Sequence, residues 1–535
     1  MLLGCDPVER VLGTRLATPA NHSRLRPVSK RLVRPDVIAL AFRLSAGRTM
    51  NHQLHFDLSA AARRSMIEHG FEPRYPPDVA EQLEELRRSH PQWDPGARDL
   101  RGLLWSSIDN DTSRDLDQIE YVAALSGDRY RVLIGIADVD ALVPRGCPID
   151  RYAMRETTTV YTGVENFSML PEELSTGSTS LLEDQERGAV VVEFVVDVLG
   201  RVTGADVYRA RVANRAQLAY PSIGAWLAGE AGAPAKVAAS PELQQQLRMQ
   251  NQVAQRLRGE RLAYGALNLQ TIETHPIRLM DGGIDIEAEK KNQATKLIED
   301  FMIAANGVVA RTLEAKRFSS IRRVVKTPRR WDRIVELAAQ LGGHLPANPD
   351  PKPLHDFLCE QETKDPLHFP DLSLAVIKLL GPGEYVLERP GESADGHFGL
   401  AVHDYTHSTA PNRRYADLVI QRLLKAMIAG RPSPYSDDEL ASIAAQCTRM
   451  EDAERKVSRE MQKRIAAVAM SGRIGHAFDA VVTGVNEHGT FVRTIKPHVE
   501  GMLVHGAHGL DVGDRTRVTL VHTDPVRGFI DFARA

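Results

Sequence analysis

Cysteine is scarce: four residues among 535 (Cys5, Cys147, Cys359, Cys447), far apart and forming no CxxC pair. That excludes a disulfide framework and a thiolate zinc site, and it fits a reducing cytoplasm. Net charge is nearly absent too, at −3 with pI ≈ 6.7. A globally basic nucleic-acid coat is therefore excluded, and a polyanion would have to be held by a local groove. No apolar run reaches the ~18 residues of a membrane span. The most apolar stretch, Val190 to Leu199, is broken by Glu193 and Asp197. Asp6 and Glu9 interrupt any apolar core of a leader peptide. No internal repeat and no low-complexity segment stands out. What remains is ordinary globular usage, 43% hydrophobic and 26% charged. At about 150 residues per domain the length suggests roughly three or four domains.

The segment order predicts an α+β multidomain chain. The first ~35 residues read as an arm, with a basic run at Arg24, Arg26, Lys30, Arg31 and Arg34. Two readings stand for that run, a solvated arm and an RNA contact. Helical patterns follow from Pro35 to Ser45, from Ala60 to His69 with Ser59 as N-cap, and from Pro77 to about Arg88. Three short helices fit either a helix-turn-helix module or a small helical cap. Strands are expected at Leu103 to Trp105, Tyr130 to Ile136, Val190 to Val198 and Val202 to Tyr208. Helices are expected later, at Pro221 to Ala228, Glu242 to Leu262, Asn292 to Glu314, Trp331 to Gln340, Tyr415 to Met427 and Ser436 to Met470. Pro346 to Pro353 reads as a connecting loop. From Ile474 onward, five short strands separated by Gly and Asp turns fit a small OB-type barrel.

The densest chemistry lies between Ser107 and Gln118, where Asp109, Asp111, Asp115 and Asp117 fall within nine residues. Like charges this close repel unless a cation holds them. Hard oxygen donors suit Mg²⁺ or Mn²⁺, and such clusters serve displacement at phosphate. Asp115 and Asp117, two apart, share a face if extended, and Asp109 closes the set from the preceding turn. A plain acidic loop is the other reading. A calcium loop counted from Asp109 fails at its sixth position, where Arg114 stands in place of Gly.

A second motif, Tyr405 to Asp417, opens a helix. Pro411 suits a helix start, where free N–H groups favour an anion. Arg413 or Arg414 can neutralise charge on a phosphate. Alternatively these arginines cap the helix by pairing with Asp417.

With these two motifs the chain resembles the RNase II / RNase R (RNB) family of exoribonucleases. The resemblance runs in order from about Arg101 to Met470. It takes in Ile136-Ala137-Asp138-Val139, Thr159-Val160-Tyr161, Met169 to Ser175, Gly265-Ala266-Leu267, Leu297 to Asn306, His397 to Leu400, Thr406-His407 and Arg413 to Asp417. Gly489 to Val492 and Val499-Glu500-Gly501 are similar to the OB-fold RNA-binding domain of that family. The resemblance implies a processive, hydrolytic 3′→5′ exoribonuclease that releases nucleoside 5′-monophosphates from single-stranded RNA. Asp109, Asp115 and Asp117 would hold the metal, Mg²⁺ with Mn²⁺ as the alternate ion. Asp117, Asp115 and Arg413 would be catalytic. Tyr161 would stack on the terminal base, and Glu454 and Arg414 would contact RNA. A cytoplasmic monomer without membrane association is expected.

Departures from the family pattern are expected to matter. A fourth Asp is usual after the position of Asp117, and here it is Gln118. That substitution would weaken a metal site or shift its preference toward Mn²⁺. Ser408 replaces an aromatic residue, and Val325 a histidine. Two cold-shock barrels are usual before the catalytic domain, and about 100 residues are too few for them. The expected division is a helical module at 1–97 in place of the barrels, a catalytic domain at 98–472 and a barrel at 473–535.

Overall fold

In a computed structural model of the chain, residues 56–88, 94–278, 284–289, 291–392 and 395–535 are described. The basic run and the helix expected from Pro35 to Ser45 lie outside these residues.

Helix α1 (Leu58–Glu68) is capped by Asp57, whose carboxylate accepts the Ala60 N–H at 2.9 Å. The expected cap, Ser59, lies two residues too far in, because a cap must stand before the N–H groups it satisfies. Helix α2 (Pro77–Arg88) starts at the proline, as its spacing predicts. α1 buries Leu58, Ala61, Ala62 and Met66 in one core, while α2 places Val79 in another. The two helices thus dock separately, and the compact helix-turn-helix bundle is not formed between them.

A six-stranded sheet follows. Its strands are β1 (Arg98–Asp99), β2 (Trp105–Asp109), β3 (Gln118–Leu125), β4 (Arg129–Ala137), β5 (Glu186–Val196) and β6 (Val202–Ala219), in the order β1-β6-β2-β3-β4-β5. Val132 to Ala137 of β4 are buried without a break, the pattern of a strand covered on both faces. β6 pairs with β5 along its first part and lies parallel to β2 at its end, where Ala219 faces Asp109. One long strand therefore closes the sheet on itself. Helix α3 (Pro148–Glu156) lies between β4 and β5 in the chain. Helices α4 (Pro241–Ala263) and α5 (Gln293–Ala315) pack on each other and on the sheet. Gln246 of α4 satisfies both backbone groups of Val122 in β3, at 2.6 and 2.9 Å.

Strands β7 (Ser320–Val324) and β8 (Glu384–Glu388) form a separate antiparallel pair. Between them the expected loop at Pro346 to Pro353 ends early. Asp350 caps a helix that begins at Pro351 and runs to Lys364. Proline is tolerated in a first helical turn, so the same residues that suggest a loop are start signals here. Helix α6 (Tyr415–Ile428) is buried along most of its length.

Helix α7 (Asp437–Ser471) opens on a capping box between Ser436 and Glu439. It runs through three apolar cores. Leu440, Ile443, Ala444 and Cys447 join the main core, Met450, Val457, Met461 and Ile465 pack with α1, and Ala467 and Met470 seal the C-terminal barrel. That barrel closes in the order β9 (Ala477–Asn486), β10 (Gly489–Thr494), β11 (Glu500–His505), β13 (Phe529–Arg534) and β12 (Arg515–Asp524). Val482, Val492, Leu503, Val518, Leu520 and Phe532 fill it. The five expected strands are all present. No helix among the described residues is long and apolar enough to cross a membrane.

Candidate functional site

The acidic motif is the connection from β2 to β3. Asp109 is the last residue of β2 and Gln118 the first of β3. Antiparallel pairing of these strands brings the two ends of the loop together. The Gln118 amide lies 3.5 Å from Asp109 Oδ1. Asp117 is 2% exposed. Its Oδ1 accepts the Asn412 N–H at 2.9 Å, and its Oδ2 faces Arg413 Nε at 3.5 Å. Asp109 Oδ2 and Asp117 Oδ2 are sealed from solvent without a hydrogen-bond donor. Burial pushes both carboxyls up to about 7, and the Arg413 charge offsets only part of that rise.

Asp115 lies close enough to both for its charge to raise them further, and its Oδ2 accepts the Tyr161 hydroxyl at 3.0 Å. Among the described residues no three Asp, Glu, His or Cys side chains form a ready metal cage. The structure thus joins Asp109 and Asp117 through Arg413 and links Asp115 to Tyr161. Two sealed carboxylate oxygens with a single guanidinium opposite them still fit a divalent cation. Anionic oxygens removed from water need compensation, and hard donors of this kind give it to Mg²⁺ or Mn²⁺.

The loop that carries Arg413 is held from several sides. Thr406 donates to the Ile321 carbonyl at 2.6 Å, and His407 shares a 2.8 Å hydrogen bond with the Tyr385 hydroxyl. Asn306 of α5 accepts both the N–H and the hydroxyl of Ser408 at 2.8 Å. Asn412 accepts the Thr179 hydroxyl at 2.6 Å. Asp417 accepts the Ala410 N–H at 2.8 Å and binds the Arg414 guanidinium through both oxygens, at 2.7 and 2.8 Å. Arg414 thus lies in its helix turn with 24% of its side chain still exposed. Its guanidinium pairs with Asp417 within its own helix turn. Arg413, with 45% of its side chain exposed, keeps its guanidinium at the carboxylates.

Tyr161 and Glu454 are far apart in sequence and close in space. Tyr161 is 43% exposed at the head of a short pairing between Val160–Tyr161 and Asn166–Phe167, where Gly163 turns the chain at φ +82°. The Thr159 N–H donates to the Arg413 carbonyl at 3.0 Å, so the Tyr161 segment lies against the arginine loop. Ser458 of α7 donates to Glu454 at 2.7 Å and contacts the Tyr161 carbonyl at 3.3 Å. Burial and then the Glu451 charge raise the Glu454 carboxyl above its ordinary range.

Sequence reasoning assigned no role to Asn306 or Thr179. A buried Asn on the apolar face of α5 was the one available signal. It also passed over Glu120, two residues beyond Gln118 on β3. Glu120 is 0% exposed, and neither of its carboxyl oxygens has a hydrogen-bond partner.

Residues 97–430 match the RNB domain family, and residues 476–535 match the RNase II-type exonuclease C-terminal S1 domain. Ribonuclease R of Vibrio cholerae serotype O1 is 30% identical over 462 residues, covering 83% of this chain and 55% of the relative. Ribonuclease R of Escherichia coli K12 is 29% identical over 446 residues, covering 81% and 54%. The chain spans just over half the length of these relatives. Mycoplasma genitalium RNase R, solved with ribose-methylated single-stranded RNA, shares the fold with TM-score 0.78 at 22% identity, over 90% of this chain and 78% of that one. Yeast Ssd1, a pseudonuclease, shares it with TM-score 0.65 at 16% identity, over 88% and 59%.

Proposed function

The chain belongs to the RNB family, and from that premise we propose that it is a metal-dependent 3′→5′ exoribonuclease acting on single-stranded RNA. One observation carries the reading: the sealed carboxylate of Asp117 faces the half-exposed Arg413 at 3.5 Å, beside the sealed carboxylate of Asp109 that the same charge stabilises. Acids that need a cation, beside a cation that can meet a phosphate, are the two halves of a phosphodiester site.

Asp109 and Asp117 hold the divalent cation, Mg²⁺ with Mn²⁺ as alternate, and Asp115 completes the set. The bound ion supplies Lewis-acid polarisation of the scissile phosphate and a water activated for attack. Arg413 neutralises the charge that builds on the phosphate. The Asn412 N–H holds Asp117 so that its second oxygen stays turned to the site. Tyr161 offers a ring to the 3′-terminal base, a contact that tolerates any base. Glu454, fixed by Ser458, accepts hydrogen bonds from the terminal nucleotide. Processive release of nucleoside 5′-monophosphates follows if the strand is drawn past a fixed site.

We assign a helical segment to residues 58–88, the catalytic domain to 98–472 and the RNA-binding barrel to 473–535. All the proposed site residues lie on one chain, so a monomer suffices. The three described cysteines are free thiols, in keeping with a reducing cytoplasm.

The test is a time course on 5′-labelled single-stranded RNA with Mg²⁺ or Mn²⁺, beside Asp117→Asn. A shortening ladder is expected from the wild type. Its rate should fall roughly 10⁴-fold in the variant. RNA that is bound and left intact under both ions would replace this reading with that of an RNA-binding protein on a nuclease fold.

A further inference from the structure

Helix α1 underlies both side chains proposed to meet the end of the RNA, Tyr161 and Glu454. Its Ala62 and Met66 share one core with Val160 and Phe167 of the tyrosine hairpin and with Ala453 and Val457 of α7. The register of the hairpin shows what this burial does. Val160 pairs with Phe167, and Tyr161 with Asn166. Neighbours on a strand point to opposite faces. Burying the Val160 and Phe167 face against α1 therefore turns the Tyr161 ring outward. Val160 is 0% exposed, and Tyr161 is 43% exposed. A pairing of two residues on each strand is marginal by itself, so the cover over one face decides where the other face points.

Polar contacts tie α1 to both of its neighbours. Ser65, fully buried, donates to Glu460 of α7 at 2.6 Å. Arg63 stands two residues earlier, on nearly the opposite side of the helix. Its Nε and Nη2 each lie 3.1 Å from a carboxylate oxygen of Glu165, in the turn of the hairpin. The helix thus stands as a strut between α7, which carries Glu454, and the hairpin that carries Tyr161.

We propose that α1 positions the pocket for the 3′-terminal nucleotide, with Arg63 as the positioning residue that holds the hairpin through Glu165. The ligand is the terminal nucleoside of a single strand, and its base is the part that feels the helix. This inference rests on the assignment of Tyr161 to base stacking above. It gives the helical segment ahead of the catalytic domain a part in substrate recognition.

The experiment uses the full chain without divalent cations and two 5′-fluorescein single-stranded oligonucleotides. One ends in a 3′ adenosine, the other in the same sugar without a base. The ratio of their affinities, read by fluorescence anisotropy, isolates the terminal base. In the wild type that ratio should be roughly 10–100-fold. Arg63→Glu sets a like charge against Glu165 and should cut the ratio about 3–5-fold, the scale of an exposed ion pair turned repulsive. Exchanging the pair, Arg63→Glu with Glu165→Arg, should return the ratio to within about twofold of the wild type, since the two sites act through each other. An unchanged ratio in Arg63→Glu would overturn the inference. So would a loss that the exchange does not restore, or equal weakening of both oligonucleotides, because neither would come from the hold on the hairpin. If the wild type does not distinguish the two ends, the stacking assignment of Tyr161 falls. If it does and Arg63→Glu matches it, only this inference falls.

Discussion

In the loop from Tyr405 to Asp417, buried polar groups find partners within the protein, Asn412 Nδ2 excepted. Asp417 takes Ala410 and Arg414, Asn306 takes Ser408, and Thr406 takes a strand carbonyl. Across from it, at the end of β2 and just before β3, Asp109 and Asp117 leave two sealed carboxyl oxygens unmatched. One half of the site is finished by its own chain. The other half is complete only with charge from outside. Damage to the first should be felt as lost stability, and damage to the second as lost chemistry in a protein that still folds.

The strongest challenge to that contrast is Asp417→Asn. Asp417 is 0% exposed and binds the Arg414 guanidinium through both of its oxygens. Removing its charge leaves a buried guanidinium uncompensated, which typically costs about 3–5 kcal/mol. Chemical denaturation should register that loss. A change under about 1 kcal/mol would mean that the loop is not held as described. Next in size is Arg413→Ala, which takes an exposed cation from the boundary between the halves. Turnover on single-stranded RNA should drop about 10²–10³-fold with stability little changed. Equal losses of turnover and stability would erase the distinction. Tyr161→Ala should weaken binding of a single-stranded oligonucleotide by about 1–3 kcal/mol, measured by fluorescence anisotropy. Tyr161→Phe should keep most of that affinity, since the ring does the stacking.

A pH titration tests the acidic half directly. Asp109 and Asp117 have folded values near 7, raised from the ordinary carboxylate range by burial. Raised values mean that folding favours the protonated form. Their contribution is therefore full below about pH 4 and is lost as pH rises toward 7. In cation-free protein, the stability of wild type minus that of Asp117→Asn should decline across this window and level off above it. Added Mg²⁺ should restore stability most at the alkaline end, where the carboxylates are bare. A flat difference across the window would mean that these groups titrate normally.

Much of the architecture could be read from spacing and caps. The barrel strands, the long α7 and the helix from Trp331 carry strong periodicity and clear boundaries. The reading failed where one residue type serves two purposes. Pro351 and Pro353 look like loop residues and in fact open a helix. Ser59 looks like a cap, but Asp57 stands at the position that can reach an N–H. At the site, Asp109, Asp117 and Arg413 were legible because strand pairing and a helix start bring them together. The partnership of Arg414 with Asp417 was visible as an alternative, and geometry decided it. The burial of Glu120 was not legible, because a charged residue in a strand looks exposed until the covering helix α4 is in place.

Helix α7 also fixes a phase. It carries Glu454 beside the Tyr161 segment and then Ala467 and Met470 in the base of the barrel. Nothing along that rod can stretch, and each residue turns it by about 100° and advances it by about 1.5 Å. A single residue inserted between Glu454 and Ala467 would leave both ends locally intact. It would also swing the barrel about a quarter turn or more around the axis, away from its present alignment with the arginine loop. The chain thus keeps its two distant surfaces in step by counting residues along one helix, and a deletion of about seven residues, near two whole turns, should disturb that alignment less than a deletion of one or two.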